Sequence, residues 1–238
     1  MSIDRKICAA VPVKEADQAK QRLAGILGLA QRRQLAHTML EDVLAALVKT
    51  SELASILVVT ADELAAELAA RYGAEISEEA ARDGHTAAVA AAARRLEKRG
   101  LDMLALPADI PLVQGEDIRH LLAVHGEVAR RGGNRFTIVP SRDERGSNAI
   151  VCSPAGAVPL RFGDDSFFPH LLAAKASGIE PVVVRLPNLA LDIDTPRDVE
   201  LLRATPARTR TQALLNGWSF PLTAPCTGAR RKAPRSSE

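Results

Sequence analysis

Short apolar runs alternate with helix-length amphipathic segments through the first 106 residues, and this alternation limits the possible folds most strongly. The run SILVVT at residues 55–60 is largely apolar and β-branched, as expected of a strand covered on both faces. Before it, five apolar residues repeat with the spacing of one helix face: Leu40, Val43, Leu44, Leu47 and Val48. Strands and helices in this order predict an α/β domain with a mostly parallel sheet and helices on both faces.

The same patterns give the expected elements of the whole chain. Strands are expected at residues 7–13, 55–60, 74–76, 101–106, 136–140, 149–153 and 181–186. Helices are expected at residues 29–50, 61–72 and 86–99, from the loop 162–171 to about residue 177, and from Pro196 onwards. The polar residues 141–148 are expected to form a turn between two strands.

Length and charge predict one folded domain followed by a basic tail. The chain has 238 residues, of which 47% are hydrophobic, enough for one core of ordinary size. The regular pattern fades after residue 202, so we expect a domain at 1–203 and a disordered tail at 204–238. The alternative is a tail that docks against the body or a neighbour through Leu214, Leu215, Trp218 and Phe220. The whole chain is +2 and residues 203–238 are +6, so residues 1–202 carry −4. An acidic body argues against a nucleic-acid partner.

Other classes of protein are disfavoured by what the sequence lacks. The three cysteines are far apart and form no CxxC pair, which argues against a disulfide framework or a zinc site. The N-terminus does not resemble a signal peptide, and no run reaches the ~18 apolar residues of a membrane span. We therefore expect a cytoplasmic protein without a membrane partner.

Three cations follow the first predicted strand, at Lys14, Lys20 and Arg22. In a parallel sheet ligands lie at the carboxyl ends of the strands, so these side chains are candidates for binding nucleotide phosphates. The alternative is a solvated, charged loop. No Walker A sequence and no GxGxxG follows the strand, which argues against a P-loop ATPase or a dinucleotide-dependent dehydrogenase.

Three aspartates follow strands and form a candidate Mg²⁺ site: Asp109, Asp192 and Asp194. Asp109 stands between two prolines after a predicted buried strand. We expect Asp192 and Asp194 to serve one site only if the backbone turns there, or if one of them binds the ion directly and the other supports it from behind. The alternatives are a loop or capping residue at Asp109 and a helix N-cap at Asp194.

Two segments of the second half contain small donors suited to an anion. Ser147 lies in RGSNA, and Gly163 and Ser166 lie in FGDDSFFPH. A glycine lets backbone N–H groups approach an anion, and the serine hydroxyls donate to it. Ordinary turn and capping chemistry is the alternative. His85 and His170 lie in loops near strand ends, and their roles stay open.

Five motifs together resemble one known family, the CofC/FbiD guanylyltransferases of coenzyme F420 biosynthesis. In chain order they are VPVK with AKQRL, PADIPLV, RGSNA, FGDDSFFPH and LDIDTPRDVELL, within residues 5–202. The resemblance implies a single GT-A-like nucleotidyltransferase domain. It also implies transfer of GMP from GTP to a small phosphorylated carboxylic acid, with release of pyrophosphate.

The resemblance assigns a role to each candidate residue. Lys14, Lys20 and Arg22 match the nucleotide-phosphate loop, and the three aspartates match the metal-binding positions. Ser147, Gly163 and Ser166 match the positions that hold the phospho-acid. His85 and Thr86 lie in a nucleotide-binding segment where the family often has Leu-Asn after the glycine, so the preference for GTP is less firmly implied than the reaction.

The resemblance constrains the acceptor acid and the protein partners less than it constrains the reaction. The second half looks most like the branch that uses 3-phospho-D-glycerate, with phosphoenolpyruvate and 2-phospho-L-lactate as the other acids. The implied product is activated, so hand-off to the next enzyme of the pathway is a further hypothesis. Two alternatives are a related nucleotidyltransferase with a cofactor or sugar acceptor, and a non-catalytic nucleotide-binding protein.

Overall fold

Seven strands form one sheet in the computed structural model, which describes residues 6–129, 133–163 and 165–219. The strands are β1 Ile7–Pro12, β2 Leu53–Val59, β3 Glu75–Ser77, β4 Asp102–Ala105, β5 Arg135–Pro140, β6 Ser147–Ser153 and β7 Val182–Val183. Their order across the sheet is β3-β2-β1-β4-β6-β5-β7. Of the pairs in these residues, β6 is antiparallel to β4 and β5 and the others are parallel, so the predicted mostly parallel sheet is confirmed.

Eight α-helices connect and cover the strands within the same residues. They are α1 Leu29–Leu47, α2 Glu63–Arg71, α3 His85–Lys98, α4 Gly115–Ala129, α5 Phe167–Ala176, α6 Pro187–Ala190, α7 Pro196–Ala204 and α8 Arg210–Asn216. Short 3₁₀ turns at Ala16–Gln18 and Gln21–Leu23 follow β1. None of the described helices is both long and apolar enough to cross a membrane.

The sheet buries both of its faces, as the apolar strands predict. Alternate residues of β1 point to opposite sides, because side chains along a strand repeat every two residues. Ala9 and Val11 join a core with residues of α1, α2 and α4. Cys8 and Ala10 join a second core with residues of α3 and α5. The predicted helices on both faces are therefore confirmed.

One strand begins earlier than the sequence indicates, and this changes the setting of a candidate residue. We expected a turn through residue 148, but β6 begins at Ser147, which pairs with Pro140 after a register shift in β5. Ser147 and Asn148 are therefore strand residues at the edge of the predicted site. The last predicted strand, at 181–186, is shortened to Val182–Val183.

The folded chain continues past residue 203, where we placed the start of a disordered tail, and its described part follows the docking alternative instead. Within residues 204–219, α8 packs against α1 and buries Leu215 completely. Asp42 of α1 accepts hydrogen bonds from the N–H groups of Arg210 and Thr211 and from the Thr211 hydroxyl, at 2.7–3.0 Å. Together with Trp218, Leu215 belongs to a third core that includes Ile193, so α8 supports the segment that carries two candidate aspartates. Phe220 and the rest of the expected tail lie outside the described residues.

We expect Asp42→Ala to lower the free energy of unfolding by about 2–3 kcal/mol, because buried donors at the start of α8 lose their acceptor. Urea denaturation measures this change. Glu67→Ala, at an exposed position of α2, is the matched control and should stay within about 0.5 kcal/mol of the original protein. An Asp42→Ala loss no larger than that of the control would mean that α8 does not dock in solution.

Candidate active site

The predicted site residues meet at the carboxyl edge of the sheet, around two adjoining cavities. The larger has a volume of about 880 Å³ and the smaller of about 190 Å³. Lys14, His85, Asp109 and Asp194 line both cavities. Lys20 lines the smaller one, and the larger one is lined by Arg22, Thr86, Ser147, Gly163, Ser166 and Asp192.

Lys20 joins two of the predicted aspartates. Its Nζ donates to Asp109 Oδ2 at 2.5 Å and to Asp194 Oδ1 at 2.7 Å. The Lys20 backbone is left-handed (φ 54°, ψ 40°) between the two 3₁₀ turns, and its side chain is only 7% exposed. Lys20 therefore binds the carboxylates directly and is the most deeply placed of the three predicted cations.

The charges of this trio support one another. Burial by itself would lower the pKa of Lys20, but the two carboxylates raise it above its usual value. Burial would likewise raise the pKa of Asp194, but Lys20 and, with smaller effects, Arg22 and Lys14 lower it. Lys20 and Asp194 are therefore both charged at neutral pH.

Asp192 is a partly buried carboxyl beside this trio. Burial raises its pKa to about 6, and the negative charges of Asp109 and Asp194 add to the effect. Asn148 Nδ2 opposes it by donating to Asp192 Oδ1 at 3.1 Å, while also bonding the Leu189 carbonyl at 2.9 Å. Asn148 was not among the predicted site residues.

A backbone hydrogen bond places the two aspartate segments side by side. The N–H of Ile193 donates to the carbonyl of Asp109 at 3.0 Å, and the Ile193 side chain is fully buried. Asp192 and Asp194 both line the larger cavity. Our expectation that the two can share a site only if the backbone turns or if one acts from behind the other was wrong in its premise, because residues two apart in an extended chain share one side.

His85 and Thr86 begin α3 and hold the 162–163 loop. The Thr86 hydroxyl donates to the Phe162 carbonyl at 3.1 Å and accepts from the Phe162 N–H at 2.9 Å. The His85 ring meets the Phe162 ring edge-on at 4.6 Å, and burial lowers the pKa of His85 to about 4. Both residues line the cavity, but the Thr86 hydroxyl is already engaged within the protein.

The predicted acid-binding residues form a second group in the larger cavity. Ser166 Oγ donates to Ser147 Oγ at 3.4 Å, and His170 Nδ1 lies 2.9 Å from Ser147 Oγ. Gly163 has φ +152°, a conformation that favours glycine. The cavity thus combines the carboxylates and cations described above with a group of serine hydroxyls, beside which the ion pair of Arg145 and Asp165 also lines the wall.

A family comparison settles the class of protein. The model described as "Guanylyl transferase CofC like" matches residues 7–231. The chain belongs to this family. The resemblance to the CofC/FbiD guanylyltransferases is thereby confirmed, and the protein is a nucleotidyltransferase.

Curated relatives of this CofC-like chain carry two acceptor names. A phosphoenolpyruvate guanylyltransferase of Rubrobacter xylanophilus is 37% identical over 84% of this chain and 94% of its own. A 3-phospho-D-glycerate guanylyltransferase of Colwellia psychrerythraea is 34% identical over 81% of this chain and 89% of its own.

Solved structures share the fold of this CofC-like chain. A putative nucleotide-diphospho-sugar transferase from Desulfovibrio desulfuricans G20 aligns with a TM-score of 0.68 at 19% identity. The alignment covers 89% of this chain and 94% of that one. At this identity the likeness concerns the fold alone, and it confirms the predicted α/β nucleotidyltransferase-like architecture.

The described residues contain no group of three or more His, Cys, Asp or Glu side chains arranged to hold a metal ion. Lys20 lies between two of the three predicted ligands, Asp109 and Asp194, and the three-aspartate ligand set stays a prediction. Asn148 of the CofC-like site was missed as a functional candidate, and the role of His170 had been left open. Both stand inside motifs that the sequence singled out, but only their hydrogen bonds reveal what they contact.

We expect Asn148→Ala to move the Asp192 pKa above about 6, because the charged carboxylate loses a hydrogen bond that favours it. A carboxyl ¹³C NMR titration of the metal-free protein measures the midpoint, with Asp192→Asn assigning the signal. Since the deprotonated form is then reached only at higher pH, the acid limb of any activity that needs it shifts upward.

Asn188→Ala is the matched control, since Asn188 donates to Asp117 outside both cavities. An unchanged Asp192 midpoint in Asn148→Ala would show that Asn148 does not govern this carboxyl.

Proposed function

We propose that this protein transfers GMP from GTP to a small phosphorylated carboxylic acid and releases pyrophosphate, in coenzyme F420 biosynthesis. The observation that carries the proposal is the composition of one cavity. Cations and carboxylates line this cavity together with serine hydroxyls and a glycine. Such a site suits two anionic substrates that must be brought together. The guanylyltransferase names of the relatives support the choice of nucleotide.

The chemistry needs no general base. A phosphomonoester has a second pKa near ~6, so its oxygen is already a nucleophile towards the α-phosphorus at neutral pH. The new bond forms between that oxygen and the α-phosphorus, and the bond to pyrophosphate breaks. The barrier comes from repulsion between the anions and from alignment, which fixed charges and donors lower.

Lys14 and Arg22 suit the triphosphate. Both are exposed side chains at the wall of the larger cavity. A positive charge beside the leaving pyrophosphate stabilises the charge that develops there. Arg22 has the additional capacity to bind two phosphate oxygens at once.

Lys20 has a different role from the one the motif suggests. Because its ammonium is buried against Asp109 and Asp194, we assign it to holding these carboxylates in place and partly neutralising them. Without it, three neighbouring carboxyl groups would repel one another in a partly buried pocket.

Mg²⁺ is the cofactor that fits this donor set. Burial raises the pKa of Asp192, the negative charges of Asp109 and Asp194 raise it further, and a bound cation would oppose this second effect. Mg²⁺ is usually held by one or two carboxylates together with substrate phosphates, so a three-residue protein cage is not required. We propose Asp109, Asp192 and Asp194 as the source of these ligands. When bound, the ion would neutralise phosphate charge and orient the triphosphate.

Ser147, Gly163 and Ser166 suit the acid. The hydroxyls and the backbone around the glycine supply hydrogen-bond donors, and the nearby carboxylate of Asp165 is paired with Arg145. The sequence favours 3-phospho-D-glycerate, whereas relatives of similar identity carry the phosphoenolpyruvate and 3-phospho-D-glycerate names. Both acids, and 2-phospho-L-lactate, therefore belong in the test. Direct hand-off of the activated product to the next enzyme stays a prediction.

We expect pyrophosphate release from GTP only when a three-carbon phospho-acid and Mg²⁺ are both present. The assay combines each of GTP, ATP, CTP and UTP with 3-phospho-D-glycerate, phosphoenolpyruvate and 2-phospho-L-lactate, with Mg²⁺ or with EDTA. Mass spectrometry identifies the nucleotidyl-acid product.

Asp109→Asn preserves shape and removes one charge, so it controls for contaminating activity. We expect its turnover to fall at least about a hundredfold. Turnover with CTP but not GTP would contradict the guanylyl assignment. Nucleotide binding without turnover on any acid would favour the non-catalytic alternative, and an Asp109→Asn rate near that of the original protein would overturn the metal assignment.

A further inference from the structure

His170 is a buried histidine beneath the larger cavity, and neither the motifs nor the family relationship gave it a role here. It lies in α5 and is 1% exposed. Its two ring nitrogens contact different segments. Nε2 lies 3.0 Å from the backbone nitrogen of Arg161, and Nδ1 lies 2.9 Å from Ser147 Oγ.

The Arg161 contact fixes the position of the ring proton. A backbone N–H can only donate, so Nε2 of His170 must accept and carries no proton. The neutral ring then has its proton on Nδ1, which donates to Ser147 Oγ. Burial, the main cause, lowers the pKa of His170 to about 4, which agrees with a neutral ring at physiological pH.

The hydrogen bonds that Ser147 Oγ accepts determine whether the hydroxyl proton is available to a ligand. Its oxygen accepts from His170 and, at 3.4 Å, from the Ser166 hydroxyl. A hydroxyl has one proton and two lone pairs, so Ser147 keeps its proton for an acceptor elsewhere. Ser147 is partly exposed and lines the larger cavity, where an anionic ligand supplies such an acceptor.

We propose that His170 is a positioning residue that makes Ser147 a hydrogen-bond donor to an anionic oxygen of the acceptor acid. This inference rests on the proposed function, because it takes the ligand at Ser147 to be the phospho-acid. His170 does not act as a base, since one ring nitrogen carries the proton and the other accepts from the backbone.

Neighbouring side chains hold the ring in this orientation. The Phe162 ring meets the His170 ring edge-on at a centroid distance of 5.0 Å. The Phe162 ring also meets the His85 ring, at 4.6 Å. The Thr86 hydroxyl forms hydrogen bonds with both the N–H and the carbonyl of Phe162. The ring is therefore fixed by packing and by both of its hydrogen bonds.

The tautomer is tested first, without substrate. In ¹⁵N-histidine-labelled protein at pH 7, His170 should show a protonated Nδ1 and an unprotonated Nε2, with the signal assigned by its loss in His170→Asn. An Nε2-protonated ring or an imidazolium at pH 7 would overturn the proposal.

A pair of variants then separates the two bonds. The Asn amide reaches about as far as Nδ1, so His170→Asn keeps a donor for Ser147. The Gln amide reaches about as far as Nε2, so His170→Gln keeps only a partner for the Arg161 N–H. We expect the KM for 3-phospho-D-glycerate or phosphoenolpyruvate to rise about tenfold in His170→Gln and much less in His170→Asn. The KM for GTP should stay within about twofold in both.

Two controls distinguish positioning from loss of structure. His120→Gln makes the same change at an exposed histidine of α4 and should leave both KM values unchanged. In a Ser147→Ala background, His170→Gln should add no further rise in the KM for the acid, because the hydroxyl it orients is gone. Additive effects, or equal changes in the two KM values, would overturn the proposal. If the original protein turns over no acid, the proposed function fails, and the ¹⁵N tautomer alone decides the assignment of His170.

Discussion

The ion pairs of Lys20 with Asp109 and Asp194 join three parts of the chain that are far apart in sequence. Asp109 is 89 residues from Lys20, and Asp194 is 174 residues from it. The parallel sheet makes this meeting possible, because it brings the carboxyl ends of β1 and β4 to one edge. The bond from Ile193 to Asp109 adds the third segment. The cavity, and with it the proposed chemistry, depends on these contacts between the three segments.

The loop at Phe162 connects two groups of residues in the cavity. On one side its ring contacts His85, near Asp109 and Lys14, and on the other it contacts His170, beneath Ser147. Thr86 fastens the backbone of the same residue. Phe162 thus helps to fix the spacing between the carboxylates and the serine hydroxyls, as does the bond from Asn148 to Asp192. Two substrates that must react with each other require such a fixed spacing.

Much of the fold follows from periodicity, and so does the location of the site. The apolar runs of β1, β2 and β4 are buried on both faces, which leaves few alternatives to a parallel sheet. The candidate residues gather where the topology rule places them. Long-range contacts account for what the sequence did not predict. The register shift that draws Ser147 into β6 depends on pairing with β5, and α8 is held by Asp42 from a distant helix.

The role of Lys20 was hidden for a similar reason. Its motif places it in a phosphate-binding loop, but a left-handed backbone and two distant carboxylates turn it inward. The direct test is the affinity of the nucleotide-free protein for Mn²⁺, measured by EPR in the original protein and in Lys20→Met, with Lys49→Met as an exposed control. If the ammonium occupies the place of a cation between Asp109 and Asp194, Lys20→Met should bind Mn²⁺ at least about tenfold more tightly. Equal or weaker binding by Lys20→Met would contradict this arrangement.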